Sequence, residues 1–399
     1  MSASAVPSSQ TVPPLTNPSV SSTRLTSLDL FRGVTIAAMI LVNDPGNDHA
    51  YWPLEHAEWN GWTPTDLIFP FFLFIVGVSL VFSSESRLRR GDSRNVLLLH
   101  AFRRAVIIFA IGLAMNYSLV LLAPSVFSGL RIPGVLQRIG ICYLAASILF
   151  LYTSPRTRIV VVAALLVGYW VLMRFVPVPG YGVPGRDIPF LHPDANLAAY
   201  LDRKFLTTLW DKTRDPEGLL STLPAIATAL LGVFTGEWLR SKNSSQTKLI
   251  RMLLFGVVGL VAGRTWGIWF PLNKKLWTSS YVLFTAGFAL VCLALCYWAT
   301  DIRPWRVAWS NRTWSRPFLI FGRNAIAAYI VAWFFAVLQF VINFRQSGQV
   351  ESGHDYIFQH FFAPLGGPSF TSLLYSLAFV LLCLIPIWLM DRKKIFLKI

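Results

Sequence analysis

Ten apolar stretches, most of them about twenty residues long, constrain this chain more than any other feature. They run over 27–44, 65–84, 99–122, 135–153, 158–176, 219–240, 249–270, 278–300, 316–344 and 369–390. A helix of roughly twenty residues rises far enough to cross about 30 Å of hydrocarbon. Backbone polar groups cannot stay unpaired in lipid, so stretches of this length are read as helices. The first is the weakest, because Asp29 and Arg32 lie within it. Composition agrees, since only 14% of the 399 residues are charged, where a soluble domain carries about 25%. The fold class expected is therefore all-α, a polytopic membrane protein of about ten transmembrane helices. Fifteen tryptophans and thirty phenylalanines fit aromatic belts at the two bilayer interfaces.

The net charge of +16 raises the question of nucleic acid. The basic residues sit in short clusters between apolar runs and form no basic face or stacking motif, so nucleic-acid binding is set aside. Their distribution instead gives an orientation. One set of connections holds eighteen Lys and Arg, and the opposite short loops hold only Arg131, Lys274, Lys275 and Arg345. The positive-inside bias then places both termini in the cytoplasm. Residues 1–23, rich in Ser, Pro, Thr and Val, read as a disordered tail without the layout of a signal peptide. Residues 24–399 read as one membrane domain with non-cytoplasmic loops at 45–64, 177–218 and 345–368. The two later loops are expected either to cover a site opening or to be plain solvated connections. Cys142, Cys292, Cys296 and Cys383 lie in apolar runs without CxxC spacing, so they read as buried hydrophobes and imply no disulfide framework.

Charges placed in a membrane cost about 2.5–3.5 kcal/mol each on insertion scales, so those that persist usually face a cavity or a partner. With this topology Asp29, Arg32, Arg103, Arg104, Arg323 and Asn324 fall near the cytoplasmic face. Asn43, Asp66, Asn116, Gln137, Arg138, Arg264 and Asn273 fall toward the other face. Asp29 and Arg32 are one helical turn apart and can pair. That pair reads either as a self-neutralising anchor or, with Arg103, Arg104 and Arg323, as a basic entrance for a phosphate-bearing ligand. Snorkelling to lipid headgroups accounts for Arg103 and Arg104 equally well. The outer set points to a polar cavity beneath the 45–64 loop.

That loop, DPGNDHAYWPLEHAEWNGWTPTD, carries His49 and His56, five carboxylates and three tryptophans. An imidazole takes up and releases protons near neutral pH, which makes His56 the foremost candidate for chemistry. His49 lies in a polar turn and carries less weight. No HExxH, GxSxG, Walker or GxGxxG pattern is present, and no ligand cluster supports a metal.

Longer motifs in a fixed order say more. They are LDLFRG (28–33), VN (42–43), HAEWNGWTPTDLIFPFFLFIVG (56–77), RIPGVLQRIGICY (131–143), DPEGLLSTLPAIATALLGVFTGEWL (215–239), FPLNKKLWTSSYVLFTAG (270–287) and PFLIFGRNAIAAY (317–329). With these the chain resembles the transmembrane acetyltransferase family of heparan-alpha-glucosaminide N-acetyltransferase, in the form of its shorter bacterial members. The resemblance implies transfer of an acetyl group from cytoplasmic acetyl-CoA, as co-substrate, to an acceptor on the other side. In lysosomal members that acceptor is the terminal glucosamine amine of heparan sulfate. The family's catalytic histidine falls on His56 and its catalytic asparagine on Asn43. The lysosomal members' large lumenal domain and initial helix have no counterpart here. The expected setting is therefore a bacterial inner membrane, with a cell-envelope or scavenged amino sugar as acceptor and a homodimer as a candidate assembly.

On this reading Arg32, Arg103, Arg104 and Arg323 hold the CoA phosphates, and Asp66, Arg138, Arg264 and Asn273 line the acceptor cavity. His56 acts as general base or carries the acetyl group itself. Asn43 hydrogen-bonds the thioester carbonyl. Two other readings stand beside it. One is a transporter of a sugar or an acylated sugar, against which the lack of a repeat and of interrupted helices weighs. The other is an acyltransferase-3-like O-acyltransferase, which HAEWNG and NKKLWTSSY fit poorly.

Overall fold

The computed structural model describes residues 25–122, 129–303, 315–346 and 349–397. The expected tail (1–23) lies outside them, as do Arg24, Arg306, Arg312 and Lys398 of the charge count. The helices are α1 (Thr26–Asn43), α2 (Ile68–Leu88), α3 (Arg94–Leu122), α4 (Val135–Tyr152), α5 (Pro155–Phe175), α6 (Leu197–Phe205), α7 (Thr222–Arg240), α8 (Ser245–Trp266), α9 (Ser279–Tyr297), α10 (Arg316–Arg323), α11 (Ala325–Val341), α12 (Gly353–Ile357) and α13 (Pro368–Arg392). Among the described residues nine of these helices are long and apolar enough to cross a bilayer. The chain is an all-α polytopic membrane protein. Among the described residues one small sheet is present, β1 (Asn343–Gln346) antiparallel to β2 (Gln349–Ser352), with Asn343 opposite Ser352.

Local chemistry sets several helix starts. Ser154 Oγ accepts from the Thr157 N–H at 3.1 Å ahead of Pro155, and Ser244 Oγ accepts from the Thr247 N–H at 3.2 Å. Each satisfies an amide that the first turn leaves unpaired.

The ninth expected segment, 316–344, is not one helix. It is α10 and α11, bent by 94°. Asn324 sits between them at φ −121°, ψ 41°, outside helical geometry. An asparagine competes for backbone hydrogen bonds and readily ends a helix. Gly322, two residues earlier, lies against the backbone of α1, where a Cβ would stand 2.0 Å from the Asp29 carbonyl oxygen. Gly33 of α1 meets the Phe318 carbonyl oxygen in the same way, at 1.7 Å. This reciprocal close approach locks α10 across α1 in the manner of small-residue contacts between membrane helices.

The helices α1, α2, α4, α7 and α9 form the interior. Leu73, Phe74, Ile75 and Val78 of α2 are buried, and so are Leu230 and Val233 of α7. The other side of the molecule differs. On α8, Ile250, Leu254, Phe255, Val258 and Val261 all point outward, an all-apolar exterior suited to lipid. The core therefore holds α1, α2, α4, α7 and α9 together. Their ends on one face carry the site described next.

Candidate active site

The residues 44–63 leave α1 and re-enter the bundle through the turn Pro64–Leu67 at the head of α2. Thr63 and Asp66 close that turn reciprocally, and Asp66 is nearly inaccessible. Its Oδ2 accepts from the amides of Ala57 at 3.0 Å and Thr63 at 3.1 Å. Its Oδ1 faces His56 Nδ1 at 2.7 Å. A carboxylate so held selects the tautomer with the proton on Nδ1 and leaves Nε2 as a proton acceptor. The His56 side chain is 48% exposed, toward a cavity of about 520 Å³.

A third group completes the cluster. Lys274 Nζ stands 3.4 Å from Asp66 Oδ1, 3.0 Å from His56 Nδ1 and 3.4 Å from His56 Nε2. It comes from the loop between α8 and α9, which is tightly held. Asn273 Oδ1 accepts from the Leu276 N–H at 2.9 Å, and Asn273 Nδ2 donates to Asn60 Oδ1 at 3.2 Å. Trp277 is buried at φ 52°, and its indole donates to Thr228 Oγ1 at 3.1 Å. A tryptophan in left-handed geometry persists only where its surroundings over-determine it. Burial pushes the Lys274 ammonium's pKa below its ordinary value, although Asp66 and Glu217 act against that shift.

The same cavity is lined by Asn43 at the end of α1 and by Asn116, Gln137, Arg131, Glu217 and Trp210. Arg131 binds Asp215 through both carboxylate oxygens, at 2.6 and 2.7 Å, and also Glu217. Burial disfavours its charge, but the two carboxylates overcome this and hold it well above the usual value. Trp210, Asp211, Pro216 and Glu217 bring the 177–218 loop over the cavity, and Trp59 anchors that loop by donating to the Leu191 carbonyl at 2.8 Å. Among the described residues, none of the 345–368 loop lines it. Its His354 contacts the Pro45 carbonyl at 3.1 Å instead, beside α13.

Two more cavities continue from this one. One of about 310 Å³ carries Arg32, Arg104 and Arg323, and it shares Met39, Phe72, Val135, Leu136 and Tyr329 with the His56 cavity as a common wall. Another of about 330 Å³ carries Arg87, Arg103, Arg104 and His100, and adjoins it through Leu80, Ser83, Arg104 and Tyr143. Arg32 pairs with Asp29 at 3.1 Å, as the one-turn spacing implies, and also reaches the Gly322 carbonyl at 3.1 Å and Ser79 Oγ at 2.6 Å.

Three residues expected to line the acceptor cavity stand elsewhere. Arg264 lies exposed on α8, away from the cavity, because its position falls on the outward face of that helix. Arg138 is buried beside the cavity, donating to Ser221 Oγ and the Gly218 carbonyl, with its guanidinium 5.3 Å from the centre of the Trp277 ring. Asn273 shapes the lysine loop without lining the cavity. Sequence reasoning passed over Lys274, Arg131 and Glu217 as site groups. The signal for Lys274 was available, as two adjacent lysines in the otherwise apolar FPLNKKLW.

A profile of the catalytic region of heparan-alpha-glucosaminide N-acetyltransferase matches residues 24–271. The heparan-alpha-glucosaminide N-acetyltransferase of Mus musculus is 31% identical over 358 residues, covering 78% of this chain and 53% of the relative. That of Homo sapiens is 32% identical over 358 residues, covering 77% and 52%. The chain thus spans about half the length of the curated relatives it matches. On the strength of the profile and both relatives, the chain belongs to the heparan-alpha-glucosaminide N-acetyltransferase family.

Proposed function

We propose that the chain is a membrane acyltransferase. It moves an acetyl group from cytoplasmic acetyl-CoA to an amino sugar, or to another glycan amine or hydroxyl, on the opposite side of a bacterial inner membrane. The observation that carries this reading is the shared wall between the His56 cavity and the arginine-bearing cavity. A long, thin acyl carrier with an anionic head fits that arrangement. Arg32, Arg104 and Arg323, with Arg103 in the adjoining cavity, hold the CoA phosphates as charge-assisted hydrogen-bond donors. The pantetheine arm reaches across the wall and presents the thioester beside His56.

The acceptor must lose a proton as it attacks the carbonyl carbon. His56 Nε2 takes it, while Asp66 fixes the ring and stabilises the imidazolium that forms. Asn43 lines the same space and donates to the developing oxyanion, a contribution of about 3–4 kcal/mol where one donor dominates. Transfer through an acetyl-imidazole uses the same groups, and ping-pong kinetics would mark that route. The charge bias of the connections supports cytoplasmic termini, with His56 on the far side.

The test is thiol release from acetyl-CoA by the detergent-purified chain across a panel of amino sugars. Acceptor-dependent release is expected, reduced by about 10²–10⁴ in His56→Ala. Release unaffected by that substitution removes His56 from the chemistry. One observation favours the transporter reading, the interrupted pair α10–α11. Sugar accumulation in vesicles, with no thiol release from any acceptor, decides for it.

A further inference from the structure

We propose that Lys274 is an internal acetyl acceptor: without an external amine, the acetyl group delivered to this cavity is transferred to Lys274 Nζ. The inference rests on the acetyltransferase reading above. An acceptor amine must come within hydrogen-bond reach of the base that takes its proton, about 2.6–3.2 Å. Lys274 Nζ stands just outside that range from the basic nitrogen, 3.4 Å from Nε2, and 3.0 Å from Nδ1, the looser spacing common before a bound substrate tightens a site. It stands beside the imidazole, in the space an incoming amine has to enter.

Chemistry and setting agree with the geometry. A lysine attacks only as the free amine, and burial of Lys274 favours that form. The buried, strained Trp277 and the bonds of Asn273 hold the lysine loop in place, so Lys274 has little freedom to swing away. Lys275 lines the same cavity and supplies a control for unspecific acylation.

The step balances. Nζ attacks the thioester carbonyl, a C–N bond forms and the C–S bond breaks. His56 Nε2 takes the proton from Nζ and returns it to the leaving thiolate, so the products are an acetyl-lysine amide and free CoA. If the acetyl group first sits on His56 Nε2, the C–S bond breaks in that step and CoA leaves as thiolate; in the lysine step the imidazole N–C bond breaks, the freed Nε2 takes the Nζ proton and passes it to the thiolate, and His56 is regenerated. Either way the product caps the amine beside Asp66 and takes up part of the cavity. The event happens once per chain and ends turnover, so an external acceptor protects the enzyme.

The experiment incubates the full detergent-purified chain with acetyl-CoA alone, then follows thiol release and peptide masses. A burst of one thiol per chain is expected, with the acetyl group on Lys274 and not on Lys275. His56→Ala should abolish it, and Lys274→Arg should abolish the burst. Thiol release that requires an amino sugar while Lys274 stays unmodified overturns this inference and leaves the acetyltransferase reading intact. Acetylation of equal extent in His56→Ala, or equal labelling of Lys275, overturns it as a background reaction. Neither release nor modification overturns both. The Lys274-to-Lys275 ratio in the unaltered chain keeps the test decisive should His56→Ala fail to fold.

Discussion

Asp66 decides which nitrogen of His56 faces the cavity, so its replacement isolates that decision from the rest of the site. In Asp66→Asn, the side-chain oxygen keeps accepting from the Ala57 and Thr63 amides. The new NH₂ group then faces Nδ1 and forces the imidazole proton onto Nε2. The ring is present but turned to the wrong tautomer. We expect kcat for acceptor-dependent thiol release to fall by about 10²–10⁴, with the thermal midpoint little changed. Loss of folded protein instead would show Asp66 to be a structural group. His56, Asn43 and Asp66 were legible in the sequence, because they sit in ordered motifs around an unusually polar loop. Lys274 was legible only as one of two adjacent lysines in an apolar stretch, because a lysine in a short loop carries no periodic signal to say which way it faces. Only the fold of 270–278 turns it inward, through a backbone geometry at Trp277 that no propensity rule favours.

Helices were the legible elements, and the places where sequence reasoning failed were breaks and loops. Apolar length fixed nine spans to within a few residues of their observed ends. It failed at 316–344, where hydropathy runs unbroken through Asn324 while the backbone turns by 94°. The 177–218 loop, which offered no periodicity, holds a further element in α6, capped by Asn196 accepting from the Ala199 N–H at 2.9 Å. Within α6, Asp202 is buried and accepts from the Leu219 N–H at 2.9 Å. Burial first, and Asp215 in addition, push its carboxyl from 3.8 up to about 6. A raised carboxyl favours the folded state only while protonated. The contribution of this group to stability is fully present below pH 3.8 and is lost as pH rises through about 6. The full loss is about 3 kcal/mol, at 1.36 kcal/mol per pKa unit. Asp202→Asn keeps the acceptor for Leu219 and removes the titration. It should raise the thermal midpoint above pH 6 and flatten its slope between pH 4 and 6. An unchanged slope would show that this carboxyl stays ionised throughout.

At the scale of the whole molecule, the three cavities matter as a sequence rather than singly. Arginines crowd one end and the His56–Asp66–Lys274 cluster the other, with an apolar wall of Met39, Phe72, Val135, Leu136 and Tyr329 between. On the proposed function, this division separates holding the anionic head of a carrier from reacting its acyl end, so the two should respond independently to mutation. Val135, the first residue of α4, borders both cavities and is only partly buried, which makes it a site for enlargement with little cost to the core. Val135→Phe narrows the wall without touching an arginine or His56. A displacement of about 1 Å from attack geometry costs up to about 100-fold, so acetyl-CoA turnover should fall by that order. Binding of adenosine 3′,5′-bisphosphate, which has the anionic head and no arm, should stay unchanged. Turnover that survives the substitution would mean that the acyl arm does not pass this wall. Loss of nucleotide binding together with turnover would mean that the two ends are one site, and that the arginines report on the fold instead of on the carrier.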